Sequence, residues 1–510
     1  MKRSFDETRV LLFTEMFASV AEDMGSALER ISFSPNIKER RDYSCALFDT
    51  RGRLIAQAAH IPVHLGAMEI LIQHWLHEGP KMERGKFYIT NDPFFAGTHL
   101  PDITLVYPVD VGDRRIGYVA NRAHHTDVGG KAPGSFAPVS HISDEGILIS
   151  PQELTPRLQE DIARGSRTPD ERRGDLEAQK SACLVGSRGF LRLFERYGDD
   201  LHAWINQALA YTEEYVARVL QQLPLGTYYA EDVLEDVPTI GEKVRIALCT
   251  RILKGGNIEF DFSGTDPQQP LGINATEAVT RSACYYVVRC LAGDIPTNSG
   301  CWQRVSVLAP EGSLVNARCP APVVGGNTET SQRIVDVVLQ TLQQAVPERV
   351  PACSQGTMNN LALGSENWAY YETLAGGAGG GPLRAGASCV HTHMTNTRNT
   401  PVEALENELP LRVIRYEKRA GSGGRGRHPG GDGVIRELEL LRGTAVVSLM
   451  TDRRSIPPPG ASGGSPGKVG INFLVTKDGE FALPSKGVWE IKAGDRIRLE
   501  TPGGGGWGTP

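Results

Sequence analysis

The sequence predicts a mixed α+β protein of several packed layers, with a helical middle region and a β-rich, Gly-rich C-terminal third. Three observations predict it. Apolar residues recur every three to four positions in some segments and alternate in others, so helical and strand periods coexist. The stretch from Pro169 to Leu223 is charged and helical in pattern. Beyond Gly376, short strand-like runs are separated by glycine clusters.

From Asp6 to Ile31, Phe13, Phe17, Val20, Met24, Leu28 and Ile31 mark one buried helix face, with Asp6 as cap and Ser34-Pro35 as stop. A hairpin follows, Ser44–Phe48 and Arg53–Gln57 around Asp49-Thr50-Arg51-Gly52. Leu65–His77 reads as a helix ended by Gly79-Pro80, and Phe87–Thr90, Ile103–Pro108 and Ile116–Arg122 as strands. Two or three helices fill Pro169–Leu223, the last from His202 to Leu223. Strands return at Val244–Cys249 and Ile258–Phe262. Asn274 with Glu277 fits a capping box for a helix reaching Leu291, and Ser331–Val346 is another helix, stopped by Pro347. Leu411–Glu417, Val434–Leu441 and Thr444–Thr451 are short strands. The expected regions are 1–165 (α/β), 166–270 (helices plus strands), 271–375 (mixed) and 376–510 (β-rich).

Composition narrows the function. The 510-residue chain has 40% hydrophobic residues, too many for general disorder. A net charge of −6 provides no basic field for nucleic acid or anionic lipid. No run of about 18 apolar residues exists, so no membrane span is expected. The start, MKRSFDETRV, lacks an apolar signal core. Nine scattered cysteines without a C-x-x-C pair fit a reducing compartment. The expectation is a soluble, cytoplasmic protein. The 57 glycines are in excess and clustered, which means tight turns or close backbone approach.

Several pattern matches fail on context. Gly421-Ser422-Gly423-Gly424-Arg425-Gly426 fits G-x-G-x-x-G, but RHPGGDG follows and cannot start a helix to hold a pyrophosphate. Gly460-Ala461-Ser462-Gly463-Gly464 lies in a proline-rich loop and not in a strand-turn-helix. Gly467-Lys468 lacks the rest of a Walker loop, so the chain carries no nucleotide signature of its own. His60 and His64 are four apart, but Pro62 between them favours turn and core histidines. His391 and His393 alternate as in a strand and read as a polar pocket wall, with a joint metal site as the alternative.

The informative constellation is NDPFFAGTHLPDITL followed by NRAHHTDVGG. One turn can aim His99 and Asp102 at a common point before the strand at Ile103. A neighbouring strand ends at His124-His125. Two imidazoles and a carboxylate make an open site for Zn, Mn, Fe or Co. Consecutive strand residues face opposite ways, so only one of His124 and His125 should ligate. The bland alternative is a hydrogen-bonded loop without a metal.

The same stretches carry a family resemblance. ERRDYSCALFDTRGRLIAQ, PVHLGAM, NDPFFAGTHLPDITL, AHHTDVGGKAPGS, DFSGTDPQ, HMTNTRNTPVEALE, GSGGRGRHPGGDG and TPGGGGWG run in order through nearly the whole chain. Together they resemble the hydantoinase B / oxoprolinase B family. Trp507 stands where that family more often has Tyr, and RRSIPPPGASGG is a looser match. The resemblance implies one subunit of an ATP-dependent enzyme that opens cyclic amides such as hydantoins, 5-oxoproline or lactams. It implies a hetero-oligomer in which a hydantoinase A-type partner binds ATP and phosphorylates the substrate. It also implies a divalent metal on His99, Asp102 and His124, with Asp42 as an additional ligand. His125 and Asp127 become candidates for orienting a ligand or shuttling a proton. Asn396, Arg398 and His64 become candidates for holding substrate. The glycine excess is then expected as loops around the active site. The alternative within the family is a ketone carboxylase of the acetone or acetophenone type. The chain is shorter than those large subunits, which favours the amidohydrolase branch. A non-haem Fe(II) oxygenase and a non-catalytic scaffold are the rivals from other classes.

Overall fold

A computed structural model describes residues 6–58, 61–235 and 243–510. His60 lies outside the described residues. Helices and four sheets pack together, so the architecture is mixed α+β as the periodicities predict.

The first sheet is antiparallel throughout. Its strands are β1 (Tyr43–Phe48), β2 (Leu54–Ala58), β3 (Tyr88–Thr90), β4 (Asp102–Val111), β5 (Arg114–His124) and β6 (Gln152–Glu153), in the order β2-β1-β5-β4-β3-β6. Alternation divides its side chains. Cys45, Leu47, Ile103, Leu105, Val119 and Ala123 join the core against helix α1 (Glu7–Ile31). Ala46, Phe48, Val106, Tyr118 and Ala120 face the opposite, larger core. The helix α1 begins with Asp6 accepting from the Arg9 N–H, as its sequence predicts. A short turn, α2 (Pro35–Lys38), leads into the sheet, and α3 (Ala67–Glu78) covers the second face. The helices α4 (Pro156–Arg164), α5 (Pro169–Tyr197) and α6 (Asp200–Leu220) form the helical middle region.

The second sheet contains β7 (Gly226–Leu234), β8 (Val244–Leu253), β9 (Asn257–Asp261) and β10 (Val305–Leu308). Against it lie α7 (Glu277–Ala292) and α8 (Ser331–Ala345), and α8 is buried along almost its whole length. Thr276, and not Asn274, caps α7 by accepting from the Val279 N–H. Asn274 instead ties its loop to the carbonyls of Gln269, Leu271 and Pro322. A π-helical turn, Gly326–Thr330, precedes α8.

Two further sheets form a sandwich. One contains β11 (Asn360–Gly364) and β12 (Ala369–Glu372), followed after α9 (Val402–Glu408) by strands of the other, β13 (Leu411–Arg419) and β14 (Gly433–Leu440). The strand β15 (Thr444–Met450) returns to the first of these, β16 (Ile471–Thr476) and β17 (Gly479–Leu483) belong to the second, β18 (Lys486–Lys492) to the first and β19 (Arg496–Glu500) to the second. Leu363, Val447 and Leu449 meet Leu438, Ile497 and Leu499 between them. The expected boundaries at 270 and 375 fall inside sheets. The parallel pair β9–β10 crosses the first, and β11–β12 with β15 cross the second.

The C-terminal glycines do not surround the site as expected. They pack against one another. A Cβ on Gly503, Gly504, Gly505 or Gly506 would lie 2.0–2.1 Å from the carbonyl oxygen of Ser422, Ala378, Pro459 or Arg425 respectively. Four successive residues thus face four different backbones, at a distance only a hydrogen allows. Hydrogen bonds such as Gly504 N–H to Gly431 O and Gly431 N–H to Ala378 O join these extended segments.

Candidate metal centre

The site forms where the inner face of the first sheet ends. Asp102 opens β4 and His124 closes β5, directly opposite each other in register. The turn before β4 is tight: the Asp102 N–H donates to His99 O, and Asn91 donates to Leu100 O. That turn swings His99 over Asp102. One ligand atom from each of His99, Asp102 and His124 lies within 4.8 Å of the others, and all three residues are buried. The rings of His99 and His124 meet edge to face, 5.0 Å between centroids.

The neighbours point these atoms inward. His99 Nδ1 is 3.4 Å from Val324 O, which leaves Nε2 for the centre. The Asp102 oxygens divide: Oδ2 takes Thr98 Oγ1 at 2.5 Å and His64 Nε2 at 3.3 Å, whereas Oδ1 forms no hydrogen bond and faces His99 Nε2 at 3.3 Å. His124 Nε2 has none either. Two orphaned buried atoms on a two-imidazole, one-carboxylate donor set fit a divalent cation, because unmet polar groups in a core are otherwise costly. Tyr371 stacks on the His124 ring at 4.8 Å with 6° between planes. Burial holds His124 well below the usual imidazole range, so the ring is neutral, the form that binds metal. Burial also raises Asp102, but the imidazoles of His99 and His64 outweigh it and keep the carboxyl well below its usual range.

The cavity is lined by Asp42, Ile61, His64, Asn327, Tyr371 and Thr397, among others. Its water-accessible space is about 20 Å³, enough for one water or one ion. Asp42 lines the cavity but does not join the three-atom cluster. Burial pushes its carboxyl up to about 7, against the pull of Arg40.

The other expected site residues lie elsewhere or act differently. His64 Nδ1 bonds Ser44 Oγ at 3.0 Å and its Nε2 bonds Asp102, so it braces a ligand from the cavity wall. His125 turns the other way, to Gln179 of α5, as strand alternation requires. Asp127 accepts from Gly129 N–H, Gly134 N–H and the Arg167 guanidinium, which closes its own glycine loop. These contacts clamp the loop. Asn396 and Arg398 are exposed, whereas Met394, Thr395 and Thr397 line the cavity. His391 and His393 sit in a loop without strand pairing. His393 has a left-handed φ of 57° and lies 3.4 Å from the Tyr286 hydroxyl, and His391 has no partner.

Sequence reasoning missed Asn36, Arg40, Asn327 and Tyr371. Asn36 Nδ2 is 3.1 Å from His124 Nδ1, and Asn327 Nδ2 is 3.0 Å from His99 Nε2. Each comes from a segment far away in sequence, and no spacing announces it.

A family model described as Hydantoinase B/oxoprolinase matches residues 6–510. The chain is 39% identical over 541 residues to 5-oxoprolinase 1 of Arabidopsis thaliana, covering 99% of this chain and 42% of that protein. It therefore spans about two fifths of the length of the curated 5-oxoprolinases it matches. The crystal structure of the ATP-dependent caprolactamase from Pseudomonas jessenii superposes with a TM-score of 0.90 at 27% identity, over 100% of this chain and 92% of that one. Acetone carboxylase, in a nucleotide-free structure, has the same fold: TM-score 0.90 at 18% identity, over 99% of this chain and 76% of that one.

Proposed function

The chain belongs to the hydantoinase B/oxoprolinase family, and on that premise we propose that it is the ring-opening subunit of an ATP-dependent cyclic-amide hydrolase. The observation that carries the reading is the convergence of His99, Asp102 and His124 with two buried ligand atoms that form no hydrogen bond. The relatives named for 5-oxoproline and caprolactam point to lactams as the substrate class.

An unstrained amide carbonyl is a poor electrophile. In this reading an ATP-binding partner of hydantoinase A type transfers a phosphoryl group to the carbonyl oxygen and forms an imidate phosphate. Water adds to that carbon, the ring C–N bond breaks as the nitrogen leaves protonated as an amine, and a second water cleaves the resulting acyl phosphate to carboxylate and phosphate. His99, Asp102 and His124 would hold a divalent cation (Zn, Mn or Fe), which when bound would supply Lewis acidity and lower the pKa of a water towards neutrality. The protein's own part is positioning. Val324 O selects the His99 tautomer that leaves a lone pair on Nε2, beside the Asn327 amide. His64 and Thr98 hold one Asp102 oxygen so that the other faces inward. Tyr371 fixes the plane of His124. Ile61, Val63, Met358 and Met394 keep bulk water out. A ring enters only when the wall moves, and Met394–Thr397 contains no helix or strand to resist.

The test uses the purified chain with and without a hydantoinase A-type subunit. About one divalent metal per chain is expected, with ATP-dependent opening of 5-oxoproline or a lactam only when both chains are present. His99→Ala with His124→Ala should strip the metal and lower turnover at least about a thousandfold. Full occupancy in that double variant refutes the ligand set. Fast ATP hydrolysis by the chain alone refutes the division of labour. Bicarbonate incorporation into a ketone would instead make it a carboxylase subunit.

A further inference from the structure

Among the described residues, six arginines are buried to under 2% exposure: Arg40, Arg122, Arg172, Arg333, Arg436 and Arg453. Four of them are neutralised at close range. Arg172 pairs with Asp175, Arg333 with Asp232 and Asp452, Arg436 with Glu372, and Arg453 with Asp232 and Asp336. Among the described residues, Arg40 and Arg122 form no ion pair, and these two flank the same cavity.

Arg40 uses all its donors on neutral acceptors: Arg398 O, Asn36 Oδ1, Tyr371 O, Thr373 Oγ1 and Thr397 Oγ1. Three of those partners, Tyr371, Thr373 and Thr397, line the cavity wall. Arg122 is two residues before His124 on β5 and opposite Thr104, two after Asp102 on β4. It therefore shares a face with both ligands, one step behind them. Its Nε donates to Thr104 Oγ1 at 2.8 Å, and both terminal nitrogens have no partner. The amide of Gln57, buried two strands away on that face, is also unpaired.

Buried charge without compensation is expensive, so a fold that keeps two such guanidiniums beside one cavity has a use for their field. The carboxylates that feel them are Asp42 and Asp102, together with Glu372, which is committed to Arg436. At most, Asp42 and Asp102 offset the two guanidiniums, and ligating imidazoles are neutral. A divalent cation then leaves two positive charges over.

We propose that Arg40 and Arg122 make this cavity selective for an anionic occupant, a carboxylate or phosphorylated group, by charge alone and without touching it. The inference rests on the metal reading above and deepens it by naming the charge class of what binds. Both residues are specificity-determining, and neither is catalytic.

Formate and formamide are equal in size and differ in charge. Each is titrated into the Co(II)-loaded full chain and followed by visible absorption, a readout independent of turnover. Arg40→Gln and Arg122→Gln are each expected to weaken formate about tenfold or more and to leave formamide within about twofold. Arg40→Lys and Arg122→Lys should stay near wild type for both ligands. Unchanged formate binding in the Gln variants, or equal weakening of both ligands, overturns the proposal. If a Gln variant does not fold, its Lys counterpart decides, because a tenfold loss of formate with the charge retained would show that hydrogen-bond shape governs. A chain that takes up no Co(II) sinks this inference together with the metal reading. Charge-selective formate binding without opening of any cyclic amide sinks only the ring-opening function.

Discussion

At the residue scale, the His124 ring is held by stacking and by one edge. Tyr371 covers a face, and the Asn36 amide meets Nδ1. Arg40 donates to Asn36 Oδ1 and so turns the amide NH₂ towards the ring. A cation on Nε2 requires the proton on Nδ1, and so favours an acceptor there. Asn36→Asp should therefore raise metal affinity about tenfold, by accepting from both Arg40 and His124. Chelator competition measures it, and equal or weaker affinity would show that His124 does not ligate through Nε2. Asp127 makes a contrasting prediction. Asp127→Ala strands a largely buried Arg167 and should cost about 3 kcal/mol in denaturant unfolding while metal content stays at wild type. Metal loss at full stability would return Asp127 to the active site. His99, Asp102 and His124 were legible because two strand ends in one register bring them together. Asn396 and Arg398 were misplaced because a loop's phase depends on the neighbours it packs against.

At the element scale, the periodicities identified most helices and strands to within a few residues. Core packing rewards the same 3.6- and 2-residue repeats that are visible in the sequence. The π-turn Gly326–Thr330 and the shift of the α7 cap to Thr276 were not visible, because tertiary hydrogen bonds decide them. The glycine segments show the difference most clearly. Clustering announced close backbone approach but not what approaches. Gly504→Ala would set a methyl group 2.1 Å from Ala378 O, whereas a Cβ on Gly381 meets nothing closer than 3.8 Å. Gly504→Ala should thus cost several kcal/mol and Gly381→Ala under about 1 kcal/mol. Thermal denaturation of the pair checks it, and equal melting temperatures would remove the packing explanation.

At the scale of the whole molecule, buried carboxyls set a pH dependence. Burial pushes Glu145 up to about 8, although it accepts from the Val324 N–H, and pushes Glu69 and Glu329 up to about 7. The folded chain keeps protons that the unfolded chain releases near 4.5. The stability these groups allow is complete below that pH and is lost as pH rises through 7 to 8. The part of the unfolding free energy owed to these carboxyls should therefore fall between pH 5 and pH 8, against the buried histidines, whose lowered values act in the opposite sense below about 6.5. Glu145→Gln should shrink that fall by on the order of 1 kcal/mol or more. An unchanged slope in the variant would assign the dependence to other groups. No helix among the described residues is long and apolar enough to cross a membrane.

The sequence by itself determined the family, the mixed α+β class, most element positions and the His-x-x-Asp and His-His segments, since these depend on local periodicity and on motifs contiguous in the chain. Only the tertiary structure decided which histidine faces inward, that Asp127 clamps a loop, that Thr395 and Thr397 replace Asn396 and Arg398 at the wall, and that two unpaired arginines stand behind the ligands. Each of those facts depends on which face a side chain turns to a partner tens to hundreds of residues away, and that is settled by packing.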